Sequence, residues 1–472
     1  MLRVLITKEL MHNLLSFRFV AGLLFVVIVY AGSSVIYCKK FQNELEEYRR
    51  AQDLYEVSLK SGEKGLDQLF EEGFFLMKEP HLSSFLVSGN ESRYPKSFTI
   101  APVAAQRRFL FAGMNPNIQR GNYKLEEYTD FDLLFIIGVL LSFLAIVLSF
   151  DATSRDREEG TLKLQLSMTV PRARVLTAKY IAILILLLIV ILLSSILSVI
   201  VTQVLLGRSV LESFLWEALL TAVFGVIYLS LFVWLGLWMS SAVSKPATSL
   251  ALLLLLWTFF VVLGPFVGGM ISERYHRVAS AEEYDKQFRA TVKGMVGSAP
   301  REYYDFYAGK ESEQGWEAIE RYFERSDNTM EQFVSQRFTE LYNQAMTAES
   351  FSSISPYSAL RQSVERITNA GLSYHKKFFD AARRYRYTLV SFIRQQDLLD
   401  PQSKHHVVSI PRMKAMSTKP VDPQTIPRFV SPGRGASVAD VQQALPLGAY
   451  LLLLNLVFFL LAQFTFARSD VR

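Results

Sequence analysis

The chain has 472 residues, half of them hydrophobic, a net charge of +6 and a single cysteine. This hydrophobic fraction excludes an ordinary soluble domain, and the lone Cys38 excludes an internal disulfide. The basic balance does not predict nucleic-acid binding, because no binding motif accompanies it and membrane proteins concentrate Lys and Arg in short cytoplasmic loops. The composition predicts a membrane part joined to large water-exposed segments.

The N-terminal segment, residues 1–16, has a weakly amphipathic pattern. One helical face carries apolar residues, namely Ile6, Leu10, Met11, Leu14 and Leu15. This pattern predicts a helix lying in the cytoplasmic membrane interface. A simple extension of the first span is the alternative.

Six apolar runs are long enough to cross about 30 Å of hydrocarbon at 1.5 Å per residue. We predict membrane spans at residues 17–37, 131–150, 180–206, 217–239, 248–270 and 445–467. The first run is longer than the apolar region of a signal peptide and lacks a clean small-x-small cleavage site, so we interpret it as an uncleaved span. The predicted fold class is an α-helical integral membrane protein with six transmembrane helices.

The positive charges predict the orientation. The loop at 151–179 carries six Lys and Arg residues, whereas the short loop between the third and fourth spans has only Arg208. This asymmetry places both termini, including the tail 468–472, in the cytoplasm. Two large segments, 38–130 and 271–444, then lie outside as external domains.

The external domains are predicted to be mainly helical with minor β structure. Residues 41–70 are typical of helix, and 97–103 are predicted as a strand. Apolar residues at helical spacing within 334–345 and 378–393 predict a packed core. The Pro- and Gly-rich stretch 411–435 predicts an extended connector back to the membrane.

No catalytic constellation is found. The chain has no G-x-x-x-x-G-K-[ST], no H-E-x-x-H, no G-x-S-x-G, and no G-x-G-x-x-G after a strand. We therefore predict that the chain is not an enzyme by itself and holds no cofactor. The adjacent His405 and His406 lack the further ligands of a metal site, so no metal is predicted.

The most informative segment is the loop at 151–179. Charges of both signs lie directly after the second span, and Gly160 then interrupts the helical pattern. A short mixed-charge helix held rigidly at the end of a span suits docking to another protein, because opposed charges set register and the span transmits displacement. A solvated loop whose basic residues only set topology is the alternative.

The loop carries a family resemblance. The string F-D-A-T-S-R-D-R-E-E-G-T-L-K-L-Q-L-S at 150–167, followed by V-P-R and A-K-Y, resembles the signature of type-2 ABC exporter permeases. Arg155 stands where that family usually has Gly, and Asp156 where it usually has Glu. The matching positions are Asp151, Ser154, Glu158, Gly160, Thr161, Leu162, Ser167, Pro171, Arg172 and Lys179.

Further similarities lie elsewhere in the chain. K-E-L at 8–10 with S-F-R-F at 16–19 is similar to the family's entry into the first span. The ending at 464–472 resembles that of a branch with two long external inserts, as do P-H-L-S-S-F at 80–85 and I-S-P at 354–356. The resemblance thus spans nearly the whole chain.

The resemblance implies a six-span permease in the bacterial inner membrane. Such permeases work as a homodimer or with a sister permease, in contact with membrane lipid, and each docks a separate ATP-binding cassette ATPase. ATP and Mg would bind in that ATPase and not in this chain. By carry-over, the residues coupling the chain to the ATPase are Asp151, Asp156, Arg157, Glu158, Gly160 and Thr161.

One span carries a candidate hinge. Pro265 follows Gly264 inside the fifth span and removes a backbone hydrogen bond, which predicts a kink and a possible flexing point. A static kink is the alternative.

Three hypotheses for function remain open. The first is export of a lipid, lipoprotein, peptide or hydrophobic compound. The second is mechanotransmission, in which ATP-driven motion reaches the external domains and periplasmic partner proteins without substrate crossing the bilayer. The third is a membrane scaffold or receptor without an ATPase, against which the docking loop argues.

Overall fold

The computed structural model describes residues 2–87, 96–102, 132–161, 171–207, 210–310, 312–407, 415–433 and 438–468. Within these residues, six helices are long and apolar enough to cross a membrane. Helices suit this role because they satisfy their backbone hydrogen bonds internally, without water. The prediction of an α-helical protein with six transmembrane helices is therefore confirmed.

The six spans lie at Phe17–Glu63, Leu133–Glu158, Arg172–Leu206, Leu215–Ala242, Pro246–Tyr275 and Val438–Arg468. Spans two and five each contain a π-helical stretch, at Ile136–Leu141 and Thr258–Leu263. We call the end of the bundle that carries residues 151–161 and Arg468 the terminal face. The opposite end is the insert face. The described residues of the segments 38–130 and 271–444 extend from it, and we call these two segments the first and second inserts.

The remaining elements are numbered in chain order. Helix α1 (Leu2–Leu14) precedes span one and α2 (Leu66–Glu71) follows it. Strands β1 (Phe74–Met77) and β2 (Ser97–Ile100) pair antiparallel, with Phe74 opposite Ile100. Helix α3 (Ser154–Glu158) is the short last helix within the range given for span two; it follows a turn after Ser149 and lies at the terminal face. The second insert contains α4 (Ala281–Gly297), α5 (Arg301–Tyr307), α6 (Glu313–Ser352), α7 (Pro356–Ile367) and α8 (Leu372–Leu398).

The helix of span one continues beyond residue 37. Ser16 caps its helix by accepting from the backbone N–H of Phe19, and the α-helix then runs unbroken to Leu59. These 43 residues reach about 65 Å at 1.5 Å per residue, roughly twice the hydrocarbon thickness. The same helix that crosses the membrane therefore extends into the first insert as a stalk.

The two inserts share one hydrophobic core. Phe98 of the first insert stacks on Phe378 of α8, with 5.4 Å between ring centroids, and meets Phe379 edge-on. The hydroxyls of Tyr55, on the stalk, and Tyr385, on α8, lie 2.8 Å apart. The predicted helical stripe at 378–393 is thus part of a packed core, and many of the side chains that cluster with it come from the first insert.

The Pro- and Gly-rich stretch contributes to this shared core. No helix or strand occurs in its described part, residues 415–433. Met416, Val421 and Ile426 are nevertheless buried among side chains of both inserts. This part is therefore a packed strap across the shared core, while residues 411–414 and 434–435 of the predicted connector lie outside the described residues.

Helix α7 belongs to the bundle and not to the shared core. Leu360, Val364 and Ile367 are fully buried and cluster with side chains of the spans. The Tyr357 ring covers Gly138 of span two so closely that a Cβ there would lie 2.3 Å from a ring carbon. The second insert thus reaches into the insert face of the bundle.

Candidate functional site

The predicted docking loop begins where span two ends at the terminal face. Its helix α3 is five residues long, and Gly160 follows with a φ of +72°, a left-handed conformation that favours glycine. The Thr161 hydroxyl donates back to the Asp156 carbonyl oxygen at 3.2 Å and lies 3.3 Å from the Asp156 carboxylate. Gly160 and Thr161 therefore form a braced turn at the end of α3.

The start of α3 is bound to span four through a buried hydroxyl. Ser240 Oγ accepts from the backbone N–H groups of Thr153 at 2.9 Å and Ser154 at 3.0 Å. Arg157 Nη2 donates to the Ser241 carbonyl oxygen at 3.1 Å. The sequence analysis missed Ser240 and Ser241, whose only signal is a pair of serines ending an apolar run.

A buried lysine ties α3 to two further elements. Lys179 of span three is 4% exposed, and its Nζ lies 2.8 Å from Asp156 and 3.1 Å from Glu9 of α1. A cation at this depth needs partners, because desolvating an unpaired charge is costly. Lys179 matched the family signature, but its role and that of Glu9 were not predicted.

The first residue of the loop is bound to span one. Asp151 forms an ion pair with Arg18 at 2.7 Å, and the Arg18 guanidinium lies 4.9 Å above the Phe150 ring. On the same face, Arg172 Nη1 donates to the Ala467 carbonyl oxygen at 2.8 Å, which joins span three to the end of span six. The loop is therefore attached to spans one, three and four, and α1.

The predicted coupling residues divide into two groups. Asp151, Asp156 and Arg157 are partly buried and bind the bundle, whereas Glu158, Gly160 and Thr161 are exposed. We call the exposed end of α3, residues 158–161, the docking tip. Its acidic character comes from Glu158 and Glu159, the latter paired with Arg155 at 2.8 Å. The signature residues Leu162 and Ser167 lie outside the described residues.

The candidate hinge in span five is bound to the second insert. Pro265 lies two residues after the π-helical stretch and has no N–H to offer the carbonyl oxygens one turn earlier. The Ser355 hydroxyl donates to one of these oxygens, that of Phe260, and the Ser352 hydroxyl donates to the Pro265 carbonyl oxygen at 2.9 Å. These hydroxyls make the corner at Ile354–Pro356 a direct contact between insert and span; motion at Pro265 stays a prediction.

The two adjacent histidines each face one carboxylate. His406 Nδ1 lies 2.9 Å from Glu320, and His405 Nδ1 lies 3.4 Å from Asp397. In the described part of the chain, no three His, Cys, Asp or Glu side chains come together as metal ligands would.

Comparison with known proteins agrees with this architecture. The family model described as ABC-2 family transporter protein matches residues 3–471. A search of curated proteins finds no match. The match covers the six spans, the docking loop and both inserts, and it confirms the resemblance seen in the loop. The chain belongs to the ABC-2 family of transporter proteins, as a multi-pass transmembrane subunit of an ABC transporter.

Proposed function

We propose that this chain is a permease whose spans are driven by a separate ATPase docked at the docking tip, with the terminal face in the cytoplasm of a bacterial cell. The observation that carries the proposal is that the two sides of α3 differ. One side is bound to spans one, three and four, and the other is exposed and acidic. In this proposal, ATP and Mg bind in the ATPase and not in this chain.

The bonds between α3 and the bundle explain how a displacement of the docking tip would reach the spans. A push on the docking tip reaches span four through Ser240, which binds two backbone N–H groups of α3. It reaches span three and α1 through Lys179. Packed elements respond to such pushes by changing between discrete arrangements that differ by a few kcal/mol.

The preferred activity is export of a lipid, lipoprotein, peptide or hydrophobic compound by a dimer of identical or sister permeases. Apolar side chains cover the outer surface of the bundle, as membrane lipid requires. Family membership supports transport as the outcome of ATP hydrolysis.

Mechanotransmission is the second candidate, and contacts at the insert face favour it. Asp440, at the start of span six, binds Lys377 at 3.1 Å and the Asn369 amide at 3.0 Å. Together with the Ser355 contact to span five, these bonds connect the second insert to two spans. A shift of those spans would therefore move the inserts and any periplasmic partner bound to them.

Capture of the ATPase tests the main proposal. The chain is purified in mild detergent from its native membranes, alongside Glu158→Lys and the control Glu317→Lys, which makes the same change at an exposed position of α6 in the second insert. The wild type and the control are expected to bring down an ABC ATPase, and Glu158→Lys to lose most of it. Absence of any ATPase from the wild type in several gentle detergents would contradict the proposal.

A distance measurement separates the two candidates. A spin label at the exposed Leu398 of α8, in both copies of a homodimer, reports movement of the inserts, and the native Cys38 is buried. Trapping the ATPase with ATP and vanadate is expected to leave this distance unchanged during simple export. A change of several ångströms without transported substrate would favour mechanotransmission.

A further inference from the structure

A groove opens on the side of the bundle between spans three, four and six. Its volume is about 410 Å³, within the range of small-molecule sites. Leu452 and Leu456 lie at its mouth, and each is about half exposed. Since these helices cross the bilayer, the groove opens to hydrocarbon and not to water.

Three polar side chains line the groove at depth: Tyr180, Ser230 and Asn455. Arg172 binds Ala467 at the terminal face. Measured from these two residues at 1.5 Å per residue, Tyr180 lies roughly 12 Å and Asn455 roughly 18 Å along its helix. Polar groups at this depth in a membrane usually mark function.

The hydrogen bonds of this triad run in one direction. The Asn455 amide donates both hydrogens to backbone carbonyl oxygens, those of Ile227 at 2.8 Å and Leu451 at 2.9 Å. Its Oδ1 accepts from the Ser230 hydroxyl at 2.8 Å. Ser230 has only one hydrogen, so in the 2.7 Å contact with Tyr180 it is the tyrosine that donates.

Every polar hydrogen of the three side chains is therefore donated in a hydrogen bond within the protein. The triad can offer a ligand only the lone pairs of its oxygen atoms. Tyr180 accepts no bond within the triad, and the amide oxygen of Asn455 accepts only one. A hydroxyl on the ligand can donate to either oxygen. An ether or a ketone of the same shape finds no donor in the triad.

The apolar wall of the groove is rigid and aromatic. The Tyr180 ring stacks on Trp234 with 4.2 Å between centroids, and Phe459 meets Trp234 edge-on at 4.9 Å. Such a wall gives an apolar body a large contact surface at little conformational cost.

We propose that this groove binds a membrane-soluble alcohol, a molecule with an apolar body and a hydroxyl that donates to Tyr180 or Asn455. Binding needs neither ATP nor an ATPase, so the inference goes beyond the proposed function and is tested without it. The proposed ligand is a molecule dissolved in the bilayer and not a protein segment seated in the groove.

The experiment compares two photoreactive probes in phosphatidylcholine vesicles that contain the purified full chain. One probe is hexadecanol with a diazirine in mid-chain, and the other is its methyl ether. Mass spectrometry then quantifies labelling of the peptides of spans three, four and six. The alcohol is expected to label the groove about fivefold more than the ether, as one net hydrogen bond would give.

Ser230→Ala tests the direction of the hydrogen bonds. Without Ser230, the Tyr180 hydrogen is free, so the ether gains a donor and the alcohol-to-ether ratio is expected to fall to about one. Equal labelling by both probes in the wild type would overturn the proposal.

A second pair of variants tests the location. Leu452→Trp fills the mouth of the groove and is expected to abolish labelling by both probes. Leu453→Trp is the matched control, since Leu453 is about as exposed as Leu452 but does not line the groove. In this variant, labelling of the groove by the alcohol probe should persist. Labelling that survives Leu452→Trp would overturn the proposal. So would a wild-type groove that neither probe labels, which would indicate that a protein segment fills it.

Discussion

Lys179 shows why single charged residues matter at the terminal face. It is nearly buried, and its two partners, Asp156 and Glu9, are each less than one-fifth exposed. A buried charge that loses its partner typically costs 3–5 kcal/mol, roughly, whereas an exposed pair contributes less than about 1 kcal/mol. The position of α3 therefore depends on this lysine more than on the surface charges around it.

Charge reversal at this lysine should destabilise the protein. Lys179→Glu brings three carboxylates together and is expected to lower the free energy of unfolding by roughly 3 kcal/mol. Adding Asp156→Lys restores one pair and should recover at least half of the loss. Thermal unfolding in detergent measures both.

Arg50→Glu is the control for that series. Arg50 and Glu46 form a largely exposed pair at 3.7 Å, so its reversal should cost well under about 1 kcal/mol. A loss at Lys179 no larger than this control would show that the buried network is not structurally important.

A second residue predicts a pH dependence in the second insert. Burial and the neighbouring Glu365 carboxylate raise the pKa of Glu349 from 4.5 to about 8. Between these pH values the folded protein keeps a proton that the unfolded chain has released, so stability falls as pH rises through this window. The slope is at most about 1.4 kcal/mol per pH unit, and the contribution is fully present below pH 4.5.

Glu349→Gln should flatten this pH dependence, because glutamine stays neutral at every pH. Unfolding temperatures measured between pH 5 and pH 8.5 should fall more steeply in the wild type than in the variant. The exposed Glu317→Gln serves as control and should follow the wild type. If the unfolding temperatures of Glu349→Gln and the wild type fell in parallel with pH, this would contradict the raised pKa of Glu349.

At the scale of elements, span five packs against the insert through two glycines. Gly264 and Gly268 are four residues apart, as in small-xxx-small helix contacts. A Cβ on Gly268 would lie 2.1 Å from the Ala348 carbonyl oxygen, and one on Gly264 2.8 Å from the Ser355 Cβ. This close approach lets the serine hydroxyls reach carbonyl oxygens of span five, so the glycines make the insert contact possible.

Gly268→Ala should therefore separate α6 from span five. Overpacking of this kind costs roughly 1–3 kcal/mol, because the opposing atom is backbone and cannot rotate away. Gly294→Ala in α4 is the matched control, because nothing lies within 4 Å of a Cβ at this position. The higher helix propensity of alanine should raise the free energy of unfolding by about 0.5–1 kcal/mol. Changes of the same sign in both variants would contradict this packing.

At the scale of the whole molecule, the two inserts should unfold as one unit. Phe98 is fully buried, and its ring contacts His375, Phe378 and Phe379 on the second insert. Phe98→Ala should lower the free energy of unfolding by roughly 3–5 kcal/mol. It should also lower the hydrogen-exchange protection of α8 as much as that of β1. The exposed Val430→Ala is the control, and loss of protection confined to the first insert would refute the shared core.

The docking site was only partly predictable from the sequence. The charged loop and its glycine were visible because consecutive residues form them. Ser240 and Glu9 were not, since they bind the loop and Lys179 from positions 87 and 170 residues away. Serine and glutamate are common at surfaces, and only the packing of α1 on span three and of α3 on span four shows that Glu9 and Ser240 bind these elements together.

The sequence by itself determined the six spans and the family, because apolar run length and signature spacing are local properties of the chain. Only the tertiary structure decided which loop charges face the bundle, that α7 enters the bundle, and that both inserts share a core. The physical reason is that burial selects partners by shape and distance. An amphipathic stripe reveals that a residue is buried but not which distant segment covers it.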